Sequence, residues 1–116
     1  MKYLIFLFPS LCFAGDWTTV DTVWQSAYTL ALIGDCAQSR DAANYYPYKY
    51  METNPVLGEH PSKGRIDNVC LATAIGHLGI SYLLPAPWRR VWQVGTTVVE
   101  VGVVIHQHSI GLKFQF

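Results

Sequence analysis

The chain has 116 residues, of which 51% are apolar, 14% aromatic and only 14% charged, with eight Lys and Arg balancing eight Asp and Glu. An ordinary soluble domain carries roughly 25% charged residues, so this one is charge-poor. The length allows one small domain. Neutrality leaves no electrostatic footprint for nucleic acid, and high hydrophobicity without net charge excludes disorder. Neither Gly nor Pro falls at a fixed period, which removes collagen-like and repeat architectures.

Residues 1–14 place one cation, Lys2, before an apolar run from Tyr3 to Phe13, with Cys12 and Ala14 at the −3 and −1 positions of a cut before Gly15. That is the layout of a secretory signal. Cleavage is the favoured reading, with an uncleaved anchor and a lipidated Cys12 as alternatives; bulky Leu11 opposes the last. The run is too short to span a hydrocarbon core of roughly 30 Å. Residues 15–116 then form a single three-helix domain.

The first helix is predicted over about 18–43. Thr18 and Asp21 make a capping-box-like pair at its start, and no charge intervenes between Asp21 and Asp35. Residues 44–62 hold three prolines, which end any helix, and a cluster of tyrosines suited to a membrane interface. Ser62 caps a second helix over 63–84, uncharged from Asn68 to Leu84 and stopped by Pro85 and Pro87. The third segment, 88–106, is rich in Val and Thr; its length without a turn signal favours helix over strand. Ile110, Leu112, Phe114 and Phe116 alternate with polar or small residues, which is a strand pattern. One such strand cannot close an outer-membrane barrel, which needs at least about eight.

The expected fold class is therefore mainly α, an up-down-up three-helix membrane bundle with a short extended C-terminal tail. The connection after helix 1 holds Arg40, Lys49, Lys63 and Arg65, and the turn after helix 2 only Arg89 and Arg90. The cation bias turns the first to the cytoplasm, which agrees with a cleaved signal delivering the amino terminus outside. Trp17, Trp24, Trp88 and Trp92 lie towards the opposite side, as an aromatic belt would. Ala72, Gly76 and Gly79 give helix 2 a small-residue face for close packing. The competing reading is a soluble exported bundle with an unusually apolar core.

Each helix carries one ionisable residue in its apolar stretch: Asp35, His77 and Glu100. A charge at membrane depth costs roughly 2.5–3.5 kcal/mol on insertion scales and turns towards a partner or a cavity. Thr73, His77 and Ser81 make one polar stripe, Gln93, Thr97 and Glu100 another, and Gln25, Thr29 and Asp35 a looser one. The expected geometry aims Glu100 into the bundle at His77 or Tyr28, either as a register-fixing pair or as a proton-responsive site. His106 and His108, read as an extended His-x-His, are weak metal candidates, and no metal or other cofactor is expected. Cys36 and Cys70 sit near the same end of helices 1 and 2. Because that end is assigned to the reducing cytoplasm, they are read as free buried thiols, with pairing left open. No nucleophile elbow, P-loop, dinucleotide or kinase signature occurs.

The run Tyr50-Met51-Glu52-Thr53-Asn54-Pro55-Val56-Leu57-Gly58, followed by Pro61-Ser62, resembles a signature of small exported or membrane proteins of bacteria and phages. The resemblance extends to Asp35 and Arg40 closing helix 1 and to Trp88 through Gln93 preceding Glu100, and so covers most of the mature chain. It implies no activity. Glu52 and Asn54 suit a turn clamp stiffened by Pro55, or, with Asp35 and Arg40, a polar site at the loop. The candidate polar cluster is thus Asp35, Arg40, Glu52, Asn54, His77 and Glu100. The function expected is that of a small inner-membrane protein without enzymatic activity, whose partners are the lipid bilayer and itself or another membrane protein. The alternative is a membrane or periplasmic hydrolase or metal-binding protein using a Glu/His cluster.

Overall fold

The computed structural model describes residues 16–44, 58 and 60–116, which form three helices: α1 (Thr19–Ala42), α2 (Lys63–Leu83) and α3 (Ala86–Ser109). The signal segment, the tyrosine cluster, Glu52 and Asn54 lie outside the described residues. The start of α1 is set as expected, by a reciprocal capping box in which the Asp21 N–H donates to Thr18 Oγ1 and the Thr18 N–H to the Asp21 carboxylate. Ser62 caps α2 by accepting from the Arg65 N–H. α3 begins at Ala86 rather than Trp88, because Pro87 falls in the first turn, where a missing N–H costs no helical bond.

The register follows from the cross-links. Arg90 reaches Asp21 at one end, and Gln38 donates to the Val104 carbonyl at the other, so α1 and α3 run parallel. Gln25 meets Ser81 and Cys36 meets Cys70, so α2 runs antiparallel to α1. The order is up-down-up. Cys36 and Cys70 are bonded to each other, with Cα atoms 6.3 Å apart. This corrects the free-thiol expectation: that reading followed from an assigned compartment, whereas the antiparallel register of α1 and α2 brings the two side chains together.

Past Ser109 the chain does not form a strand. Gly111 adopts φ +98°, a conformation that costs little only without a Cβ, and turns the tail back along α1. There the Gln115 N–H donates to the Ala37 carbonyl and the Lys113 N–H to the Asp41 carboxylate. The alternation places Phe114 and Phe116 on one side, their rings 6.4 Å apart, and Phe114 rests against Gly34, where an added Cβ would meet its ring at 3.2 Å. The tail has no neighbouring strand among the described residues, and of its alternating apolar residues Leu112 is buried while Ile110, Phe114 and Phe116 stay exposed.

Burial is inverted relative to a water-soluble bundle. The hydrophobic residues buried among those described are Tyr28, Leu32, Ala37, Ala42, Ile66 and Leu112, while Asp21, Gln25, Gln38, His77, Ser81, Arg89, Gln93 and Thr97 are among the buried polar ones. Val23, Leu30, Leu71, Ile75, Val91, Val98 and Ile105, drawn from all three helices, are each at least 60% exposed. Ala72, Gly76 and Gly79 also face outward; a Cβ at either glycine would meet nothing within 4 Å, so this small-residue face does not pack inside the bundle. No helix among the described residues is long and apolar enough to cross a membrane.

Candidate functional site

The polar interior falls into three groups along the bundle. The first is centred on Arg89, which is fully buried. Its Nη1 lies 3.0 Å from Asp16 Oδ1 and 3.3 Å from Asp21 Oδ2, its Nε donates to the Ser81 carbonyl at 2.7 Å, and its Nη2 donates to the Leu84 carbonyl at 3.0 Å. One guanidinium thereby joins the start of α1, the end of α2 and the start of α3, using the fixed donor fork that lysine lacks. Trp17 covers it at 5.1 Å from the ring centroid and stacks on Tyr82 at 4.7 Å. Arg90 adds a second cation to Asp21 at 3.1 Å. The Thr18 N–H and hydroxyl together with Arg90 and Arg89 surround the Asp21 carboxylate with donors.

The second group surrounds His77. Gln25 Nε2 lies 3.1 Å from its Nδ1, and Thr96 Oγ1 lies 2.7 Å from its Nε2. An amide nitrogen only donates, so Nδ1 accepts and Nε2 carries the proton that Thr96 receives; Thr96 in turn donates to the Trp92 carbonyl at 2.6 Å. Gln25 Oε1 accepts from the Ser81 hydroxyl at 2.9 Å. The imidazole stacks with Tyr28 at 3.5 Å and with Trp92 at 4.9 Å. Every ring nitrogen is satisfied and one tautomer is selected. That is an arrangement for fixing helix register.

The third group holds Asp35 and Glu100. Their carboxyls lie close enough to interact with each other, and Asp35 also lies close to Gln107. Glu100 therefore does point inward, but its partner is Asp35 on α1. Neither His77 nor Tyr28 is its hydrogen-bond partner. The sequence reading paired antiparallel α2 and α3 across their short turn, where His77 and Glu100 sit several residues out of register; parallel α1 and α3 are the more closely packed pair.

The remaining sequence candidates do not converge. Arg40 forms an ion pair with Asp67 of α2, away from the Asp35–Glu100 contact. His106 and His108 lie within α3 rather than in an extended segment, so their side chains diverge around the helix, and both are exposed. Among the described residues no group of three or more His, Cys, Asp and Glu could hold a metal ion. Sequence reasoning missed Arg89 as an interior residue because it reads as a turn cation, and Gln38 because it stands among the polar residues that close helix 1, three after Asp35 and three before Asp41. No family model matches the chain, and neither a curated protein nor a solved structure matches it.

Proposed function

We propose that the chain is a small protein of the bacterial inner membrane, a three-helix bundle that acts by packing against itself or another membrane protein and not by catalysis. The observation that carries the reading is the inversion: polar side chains fill the interior while large apolar ones surround all three helices. Contiguous apolar surface of this kind marks a lipid or protein contact. Taken singly, each helix is too polar to cross, but many of the mid-helix polar residues turn inward, and lipid would meet mainly the apolar outer faces of the assembled bundle. At 1.5 Å per residue the helices are about 31–36 Å long, against a core of roughly 30 Å. The open Ala72, Gly76 and Gly79 face supports close approach of another helix.

A second reading, a periplasmic bundle whose outer faces meet a protein partner, is favoured by the Cys36–Cys70 disulfide, since such bonds persist in oxidising compartments. Alkaline carbonate extraction of membranes from expressing cells separates the two. Retention in the pellet is the expected result; release into the soluble fraction overturns the membrane reading.

A further inference from the structure

We propose that the groove between α1 and α2 binds one phospholipid with a zwitterionic phosphate–ammonium headgroup, an acyl chain lying in the groove and the headgroup at Arg40 and Asp67. The groove has a volume of about 550 Å³ and is walled by Leu32, Ile33, Leu71 and Ala74, with the Cys36–Cys70 disulfide on its surface. A concave site of that size, mostly apolar with a few polar groups at fixed places, suits an amphipathic ligand. Its placement suits an acyl chain. Arg40 stands in the last turn of α1 and Thr29 near the middle of that helix; on α2 the groove runs likewise from Asp67, near the start, to Ala74, near the middle. The distance from Arg40 to Thr29 along α1 is about 16 Å at 1.5 Å per residue. One leaflet, half of a hydrocarbon core of roughly 30 Å, is about 15 Å deep. The groove thus begins where the interface would lie and stops where a leaflet ends.

The polar end supplies the headgroup chemistry. Arg40 Nη1 donates to the Asp67 carboxylate, so a cation and an anion stand side by side at the mouth. Arg40 Nε is buried and has no partner among the described residues. A buried guanidinium N–H is costly to leave unmatched, and phosphate is an acceptor whose geometry suits the guanidinium fork. The Asp67 side chain is 54% exposed and so remains open to a second cation. A phosphate at Arg40 and an ammonium at Asp67 complement both charges. An anionic headgroup would satisfy Arg40 but bring like charge to Asp67. A peptide in the groove would carry backbone N–H and C=O groups against walls that offer them few partners.

The inference rests on the membrane reading, which supplies the lipid. Native mass spectrometry of the purified full-length protein in detergent reads bound lipid directly. Delipidated protein is mixed with equal amounts of phosphatidylethanolamine, phosphatidylglycerol and oleate. The wild type is expected to carry one phosphatidylethanolamine per chain, favoured about fivefold over either competitor, as one half-exposed charge contact allows. Asp67→Asn is expected to lose that preference, and Ala74→Phe, which fills the groove away from the headgroup, to lose most of the adduct. Phosphatidylglycerol or oleate bound as well as phosphatidylethanolamine by the wild type overturns the proposal, as does an unchanged preference in Asp67→Asn or an undiminished adduct in Ala74→Phe. Should Ala74→Phe not fold, as judged by far-ultraviolet dichroism, the wild-type competition and Asp67→Asn decide. A protein that stays in the carbonate pellet yet shows no preferred lipid overturns the groove assignment alone; release by carbonate overturns both readings.

Discussion

Arg89 Nη1 lies 3.3 Å from Asp21 Oδ2, and this buried ion pair ties the first turn of α3 to the first turn of α1. Arg89 also closes the end of α2 through the Ser81 and Leu84 carbonyls. Replacing it by Met is expected to cost about 3–5 kcal/mol, because Asp21 is left buried with one of its cations gone and two carbonyls lose their donor. Arg90→Met, which removes the more exposed partner, is expected to cost clearly less. Chemical unfolding in detergent compares the two.

Asp21 also sets a pH limit on stability. Its ion pairs and capping bond are made by the ionised carboxylate, so their contribution is lost as falling pH protonates it. The wild type is expected to lose thermal stability below about pH 4, and Asp21→Asn to lose less over the same range while being less stable at neutral pH. Equal acid sensitivity of the two proteins would show that another carboxylate controls the fall.

At the His77 group, Gln25→Leu removes both the donor to His77 Nδ1 and the acceptor for the Ser81 hydroxyl. Orphaning a buried polar group costs about 1–3 kcal/mol, so a loss at the upper end of that range is expected. Gln25→Glu restores an acceptor for Ser81 but no donor for the imidazole. Recovery of stability by Gln25→Glu at pH 8 would contradict the tautomer assigned to His77.

For Glu100, an amide substitution keeps the capacity to donate to Asp35, whereas an apolar one leaves Asp35 and Gln107 facing a hydrocarbon side chain. Glu100→Gln is expected to retain wild-type thermal stability far better than Glu100→Leu. Equal melting temperatures for the two variants would mean that the side chain is not engaged with α1.

The disulfide closes a sequence separation of 34 residues between α1 and α2. In the chain-entropy view a loop of that size is worth about 3–4 kcal/mol, so reduction is expected to lower the denaturation midpoint accordingly. Cys36 and Cys70 are expected to resist maleimide until reductant is added to intact cells. Labelling without reductant would place this end in a reducing compartment, as the count of cations at the two ends suggests.

The elements could be read from the sequence because their signals are local. Thr18 with Asp21, Ser62, and the prolines at 85 and 87 set helix ends through bonds spanning three or four residues. The inward aim of Glu100 was legible too, since its own helix offers little but valines around it. The identity of its partner was not, because that depends on α1 and α3 lying parallel and close, which no local pattern encodes. The same limit hid the Cys36–Cys70 bond and the burial of Arg89. Alternation from Ile110 to Phe116 reads as a strand, but periodicity supplies no pairing partner, and of the four apolar residues only Leu112 is buried.

The central claim, that lipid surrounds an inside-out bundle, is tested most directly by nitroxide labels at Leu30, Ile75 and Val98, one on the outer face of each helix and all 64–69% exposed. Each label is carried on a single introduced cysteine, with Cys12 replaced by alanine and the native disulfide intact, in protein reconstituted into phospholipid vesicles. Collision rates with oxygen, which concentrates in the bilayer, and with a water-soluble nickel chelate, which is excluded from it, are then compared. High oxygen and low nickel accessibility at all three positions is the expected result; high nickel accessibility at all three would place these faces in water and contradict the membrane bundle.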